Sequence, residues 1–156
     1  MEALERSWLQ LEETVMKPAF SPDLPPLERF TRFCRNVQRL FSQVALETGG
    51  IPGCPIINCG AEAGVEDETM RTKVEDIFAR QTAYFEEALK EAKEEGTIRI
   101  SDTGAAARFI HAFLSGLIHQ AKVFKDPDGL KLLLPGLARL IGAEVRGDRM
   151  APRKEG

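Results

Sequence analysis

The sequence predicts an all-α domain, a bundle of about six helices that pairs with a second copy of itself through its last two. Three observations predict it. Apolar residues recur three and four apart along most of the chain. Only residues 97–100, Thr-Ile-Arg-Ile, have strand-like composition. The last two predicted helices are apolar around most of their circumference.

Length and charge exclude several function classes. The chain has 156 residues, enough for one domain. A domain of that size buries roughly 70% of the surface its unfolded chain exposes. Hydrophobic residues at 43% and charged residues at 29% exclude fibrous and disordered classes. A net charge of −3 leaves no basic stripe, so no nucleic-acid contact by this chain alone is expected. No apolar run approaches the roughly 20 residues of a membrane span. The acidic, amphipathic start MEALERSWLQLEE is neither a signal nor a transit peptide. Three cysteines without an export signal point to a reducing cytoplasm.

The first predicted helix covers residues 2–17, with Leu4, Trp8, Leu11 and Val15 on one side. Pro18 ends it, and the proline-rich FSPDLPP that follows is a loop. A second helix, 26–48, carries the stripe Leu27, Phe30, Cys34, Val37, Phe41 and Val44, and Gly49-Gly50 stop it. Residues 54–63 form a short helix with Pro55 in its first turn. Asp67 caps a long helix, 68–95, with Gly96 past its end. Residues 97–100 are too short and isolated for a sheet, so they connect. Ser101 or Asp102 caps a helix over 102–124. Asp126-Pro127 opens the last one, 127–142, which Gly142 ends. Residues 1–142 are thus the helical domain, and 143–156 are expected to be a largely disordered tail.

The last two helices carry the case for a partner. In FIHAFLSGLIHQAKVF, at about 100° per residue, the apolar side chains leave little of the circumference polar. The leucines of LKLLLPGLARLIG do the same. One face can pack on the preceding helices, and a second copy is the simplest cover for the other. The predicted interface comprises Ala112, Phe113, Gly116, Leu117 and Gln120 with Leu130, Leu134 and Leu137, Gly116 providing a flat spot for close approach. The alternative is that both helices are central in a monomer.

Catalysis and metal binding find little support. Cys54 and Cys59 do not have C-x2-C zinc spacing, and His111 and His119 lie two helical turns apart. Neither a G-x-S-x-G nor a phosphate-binding loop occurs, so the chain is expected to be no enzyme and to need no cofactor. The cysteines are expected to be small apolar filler. A small-molecule pocket is better supported. Phe30, Phe33, Cys34, Val37 and Phe41 on one helix face Phe78, Gln81, Tyr84 and Phe85 on another, with Asn58, Gln81, Thr82, Tyr84 and His111 as polar contacts. A simply filled core is the alternative.

The motifs and their order resemble the C-terminal regulatory domain of the TetR-type bacterial repressors over roughly residues 25–142. GCPIINCGAE (53–62) resembles the short glycine-cysteine helix of one branch. LKEAKEEG (89–96) is similar to the end of its long helix. Ser101-Asp102, Ala105-Ala106 and FLSGL (113–117) resemble its first dimerisation helix, and the leucine-rich last helix its second. The resemblance implies a homodimer joined by a four-helix bundle. It implies an inducer cavity in each copy, faced by Phe33, Cys34, Val37, Cys54, Asn58, Phe78, Gln81 and Phe85 and filled by a small apolar or aromatic molecule. It also implies coupling of that cavity to a DNA-reading helix-turn-helix head. Nothing in this sequence corresponds to that head, and residues 2–17 look like the later part of the helix that joins head to body.

Overall fold

A computed structural model describes residues 1–62 and 66–154. Among them six helical rods and one hairpin surround a single core. The first rod is α1 (Glu2–Leu11), a π-turn (Glu12–Met16) and α2 (Lys17–Ala19) in unbroken succession. It runs past the expected stop at Pro18. Proline lacks an N–H and its ring crowds the carbonyl four residues back. The wider turn before it, where the Lys17 N–H reaches the Glu12 carbonyl, accommodates both.

Helix α3 (Pro26–Thr48) opens on a proline at its first position and closes on Gly49 at φ 77. Its inner face buries Leu27, Phe30, Phe33, Cys34, Val37 and Phe41. Arg29 is also buried. Its guanidinium donates to the Leu24 carbonyl at 2.9 Å, the Pro22 carbonyl at 3.2 Å and Glu91 at 2.7 Å, fastening the proline loop to α3 and the long helix. Helix α4 (Pro55–Glu62) is short, and the expected end of that helix at Ala63 lies outside the described residues. Helix α5 (Glu68–Glu94) starts where the Asp67 carboxylate accepts the Met70 N–H at 3.0 Å. Phe20 from the loop meets Phe30 and Phe33, each at 5.6 Å between ring centres, and Phe33 meets Phe85 at 5.1 Å. These rings fill one end of the bundle.

Helix α6 (Thr103–Phe124) is capped by Asp102, whose carboxylate accepts the Ala105 N–H at 2.9 Å. The last helix departs from expectation. Residues Pro127–Leu132 wind as a 3-10 helix, and only Leu133–Leu140 are α-helical (α7). Pro135 is the physical reason, since it can neither donate to Lys131 nor tolerate its carbonyl at α-helical distance.

The tail expected to be disordered is a hairpin. Strands β1 (Ala143–Arg146) and β2 (Arg149–Pro152) pair antiparallel around Gly147-Asp148. Gly147 has φ 63 at the first central position, as a type II′ turn requires. A lone hairpin is marginal in water. This one is anchored: Ala143 and Met150 are buried, the Met150 N–H donates to Thr31 at 3.0 Å, and Arg35 donates to the Asp148 carboxylate at 2.7 Å. No helix among the described residues is long and apolar enough to cross a membrane.

Candidate functional site

A cavity of about 260 Å3 lies between α1, α3, α4, α5 and α6. Helix α3 forms its main wall, because Phe33, Val37, Leu40, Phe41 and Val44 follow one another at helical spacing. The segment Pro52–Ile57 forms a second wall. Gly53 is required there: its φ is 86, and a Cβ would come within 3.0 Å of the Asn58 amide oxygen. Asn58 holds that segment by donating to the Pro52 carbonyl at 3.0 Å, while Lys122 approaches its amide oxygen at 3.4 Å. Leu114, Ser115 and Ile118 of α6 supply a third wall. Ser7, Gln10, Leu11 and Thr14 of the first rod close the fourth side, and the exposed Gln10 and Thr14 mark the mouth.

Besides the exposed Gln10, two polar side chains on these walls have no hydrogen-bond partner among the described residues. Gln81 is only 8% exposed, and its amide makes no hydrogen bond among the described residues. The Ser115 hydroxyl oxygen is buried and unbonded as well. At the mouth the hydroxyls are occupied, Ser7 donating to the Ala3 carbonyl at 2.9 Å and Thr14 to the Gln10 carbonyl at 2.7 Å.

Half of the predicted pocket residues line this cavity: Phe33, Val37, Phe41, Cys54 and Gln81. The others do not. Phe30, Cys34 and Phe85 are wholly buried in the core, Phe30 and Phe85 within the aromatic cluster. Asn58 acts behind the wall. Phe78 lies against His111, ring centres 4.3 Å apart, in a separate surface groove that also takes Thr82. Tyr84 donates to Glu12 at 2.9 Å; burial and that carboxylate push its hydroxyl up to about 12. Burial pushes the Cys34 and Cys54 thiols up and the His111 imidazole down. Sequence reasoning missed the contributions of α1 and α6. Of the first rod's residues, Ser7, Gln10 and Thr14 carried no apolar signal and Leu11 was read only as part of its helix's stripe; Ser115 sat in a segment read as interface.

The last two helices leave an apolar outer face uncovered by the other described residues. On α6 it runs through Phe109, Ala112, Phe113, Gly116, Gln120, Val123 and Phe124; Leu132 and Leu140 continue it. Nothing lies within 4 Å of a Cβ placed on Gly116, so the face is open there. Phe113 folds across Gly136, where a Cβ would fall 2.3 Å from its ring, and Leu134 is half-buried beside the core. Leu117, Leu130 and Leu137 are a correction to the predicted interface. They are buried within their own chain, because α6, the 3-10 turn and α7 must each give one side to the monomer core.

Comparisons with known proteins agree with this architecture. The profile of the family described as "Tetracyclin repressor-like, C-terminal domain" matches residues 26–136. The regulatory protein TetR from Rhodobacter sphaeroides shares the fold with a TM-score of 0.76 and 22% identity over 88% of this chain and 71% of that one. The reduced form of E. coli NemR does so with a TM-score of 0.71 and 22% identity over 88% and 70%. No curated protein matches the chain. With more than half of its length inside one family profile, the chain belongs to the tetracycline-repressor-like C-terminal domains, the regulatory domains of TetR-type regulators.

Proposed function

We propose that this chain is the inducer-sensing and homodimerising part of a cytoplasmic TetR-type transcriptional regulator, and not an enzyme. A small molecule enters the cavity, and its binding shifts the population between conformers of a dimer that presents two DNA-reading heads. Operator contact falls to the heads, outside residues 1–156. The cavity carries this reading. It is apolar, of a size to hold a small ligand, and walled on one side by the N-terminal rod. A domain serving only as an interaction module has no use for unpartnered Gln81 and Ser115 beside such a space.

A thermal-shift screen of small apolar and aromatic molecules tests it. A ligand at one hundred times its Kd adds about 2.7 kcal/mol of stability. Leu40→Trp, at a half-buried wall position, fills the cavity and should abolish that stabilisation while the helical circular dichroism stays intact. Unchanged binding by the Leu40→Trp protein would place the ligand elsewhere.

A further inference from the structure

We infer that the cavity selects an uncharged, mostly apolar ligand bearing one carboxamide-like group, a carbonyl acceptor beside an N–H donor. The inference rests on the sensing reading above and specifies its ligand. Four observations lead to it.

The walls are hydrocarbon and aromatic, from Phe33, Val37, Leu40, Phe41, Leu114 and Ile118, so most of the ligand must be apolar. Among the described residues no Asp, Glu, Lys, Arg or His lines the space. A carboxylate or ammonium entering it would lose its hydration and gain no counter-charge. Lys122, the cation beside this wall, is directed at the Asn58 amide oxygen at 3.4 Å and is not among the lining residues.

The third observation is Gln81. The residue is more than nine-tenths buried and lines the cavity, and its amide has no hydrogen-bond partner among the described residues. It offers an N–H pair and a carbonyl together. The complement of that pair is a group that both accepts and donates, which a carboxamide does and a simple hydrocarbon does not. The fourth is Ser115, a residue of the same wall whose buried hydroxyl has no partner among the described residues and is a second donor or acceptor within reach of a small rotation. Polar groups in folded proteins are nearly always satisfied, so an unpartnered amide facing the cavity, with an unpartnered hydroxyl on the same wall, marks where a ligand's polar end belongs. At about 260 Å3 the space is at the lower edge of small-molecule pockets, which limits the ligand to one ring or a short chain with its head group.

The test uses the 156-residue chain and matched sets of three compounds on phenyl, 4-ethylphenyl and cyclohexyl scaffolds. The head group is a carboxamide, a carboxylate or an isopropyl group of the same shape. Calorimetry measures each affinity for the parent chain, Gln81→Leu and Ser115→Ala. In at least one set the carboxamide should bind at least about tenfold more tightly than both analogues. Gln81→Leu should erase that preference and leave the isopropyl compound bound as well or better, which also shows that the variant is folded. Ser115→Ala should reduce the preference by a smaller factor. A carboxylate or isopropyl compound that equals the carboxamide overturns this inference and leaves the sensing cavity standing. So does a carboxamide preference that survives in both variants. Failure of every compound in every set to bind the parent chain removes the sensing reading, and the inference with it.

Discussion

Arg29 and Gln81 are both buried polar side chains, and their surroundings treat them oppositely. Arg29 spends its guanidinium on two carbonyls and the Glu91 carboxylate, so its burial is compensated. Gln81 has no such partners among the described residues. Removing each should therefore move stability in opposite directions. Arg29→Met strands two loop carbonyls and a carboxylate and should cost about 2 kcal/mol. Gln81→Leu removes an amide without a partner among the described residues and should leave the ligand-free protein equally stable or about 1 kcal/mol more stable. Urea titrations read both as shifts of the midpoint at constant slope. A Gln81→Leu protein that loses as much as Arg29→Met would mean that Gln81 is structurally satisfied. The spacing of α3 identified Phe33, Val37 and Phe41 as neighbours on one face, and all three line the cavity. Spacing could not separate these from Phe30 and Cys34, one turn back on the same stripe. Phe20 reaches in from the proline loop against both Phe30 and Phe33, so the aromatic cluster takes Phe30 wholly while Phe33 joins it and also lines the cavity. Phe20 belongs to no helical pattern, so its role was invisible in the sequence.

Ion pairs join α1 to α5 beside the buried Leu4 and Trp8. Glu5 receives two hydrogen bonds from Arg80, at 2.9 and 2.8 Å, and pairs with Lys73, while the Arg80 guanidinium lies 5.4 Å from the centre of the Trp8 ring. The hydrogen bonds from Arg80 and then Lys73 draw the Glu5 carboxyl down to about 2, against about 4.3 for an unfolded glutamate. A lowered carboxyl pKa stabilises the fold above the unfolded value, and that contribution fades as pH falls from about 4.3 towards 2. Glu5→Gln should therefore reduce stability at pH 7 and flatten its decline between pH 4.5 and 2.5, as read from urea midpoints across that range. An acid limb as steep as the parent's would assign the decline to other carboxylates. Elements bounded by local signals were legible: Asp67 and Asp102 caps, the proline opening α3, and glycines closing α3 and α5 all act within one helical turn. The π-turn and the 3-10 helix answer Pro18 and Pro135, which broken-helix reasoning treats as a stop or overlooks. The hairpin did have a signature, Gly147-Asp148 between Val145-Arg146 and Arg149-Met150. Its short strands hold only because Thr31 and Arg35, more than a hundred residues earlier, receive them.

At the scale of the whole molecule, α6 presents two apolar faces. Leu114, Leu117, Ile118 and Ala121 serve the monomer core; Phe109, Ala112, Gly116, Gln120 and Val123 face outward at spacings of three and four. Phe109 is 62% exposed and Val123 59%, with Phe124, Leu132 and Leu140 extending the patch. Monomeric proteins seldom leave so many large apolar groups together in water. Each one covered by a partner contributes about 1.5–3 kcal/mol of burial before the costs of association. A second copy brings an identical stripe, and the open surface at Gly116 lets two helices approach closely along it. Because these side chains are exposed in the single chain, charging them tests assembly apart from folding. Phe109→Glu with Val123→Glu should give a monomer by light scattering, with helical circular dichroism close to the parent's and a melting temperature that no longer rises with protein concentration. Leu137→Glu, directed into the core, should instead unfold the chain at any concentration. A Phe109→Glu, Val123→Glu protein that remains a dimer with the parent's dissociation constant would remove this face from the assembly and leave the outer stripe of α6 to some other partner.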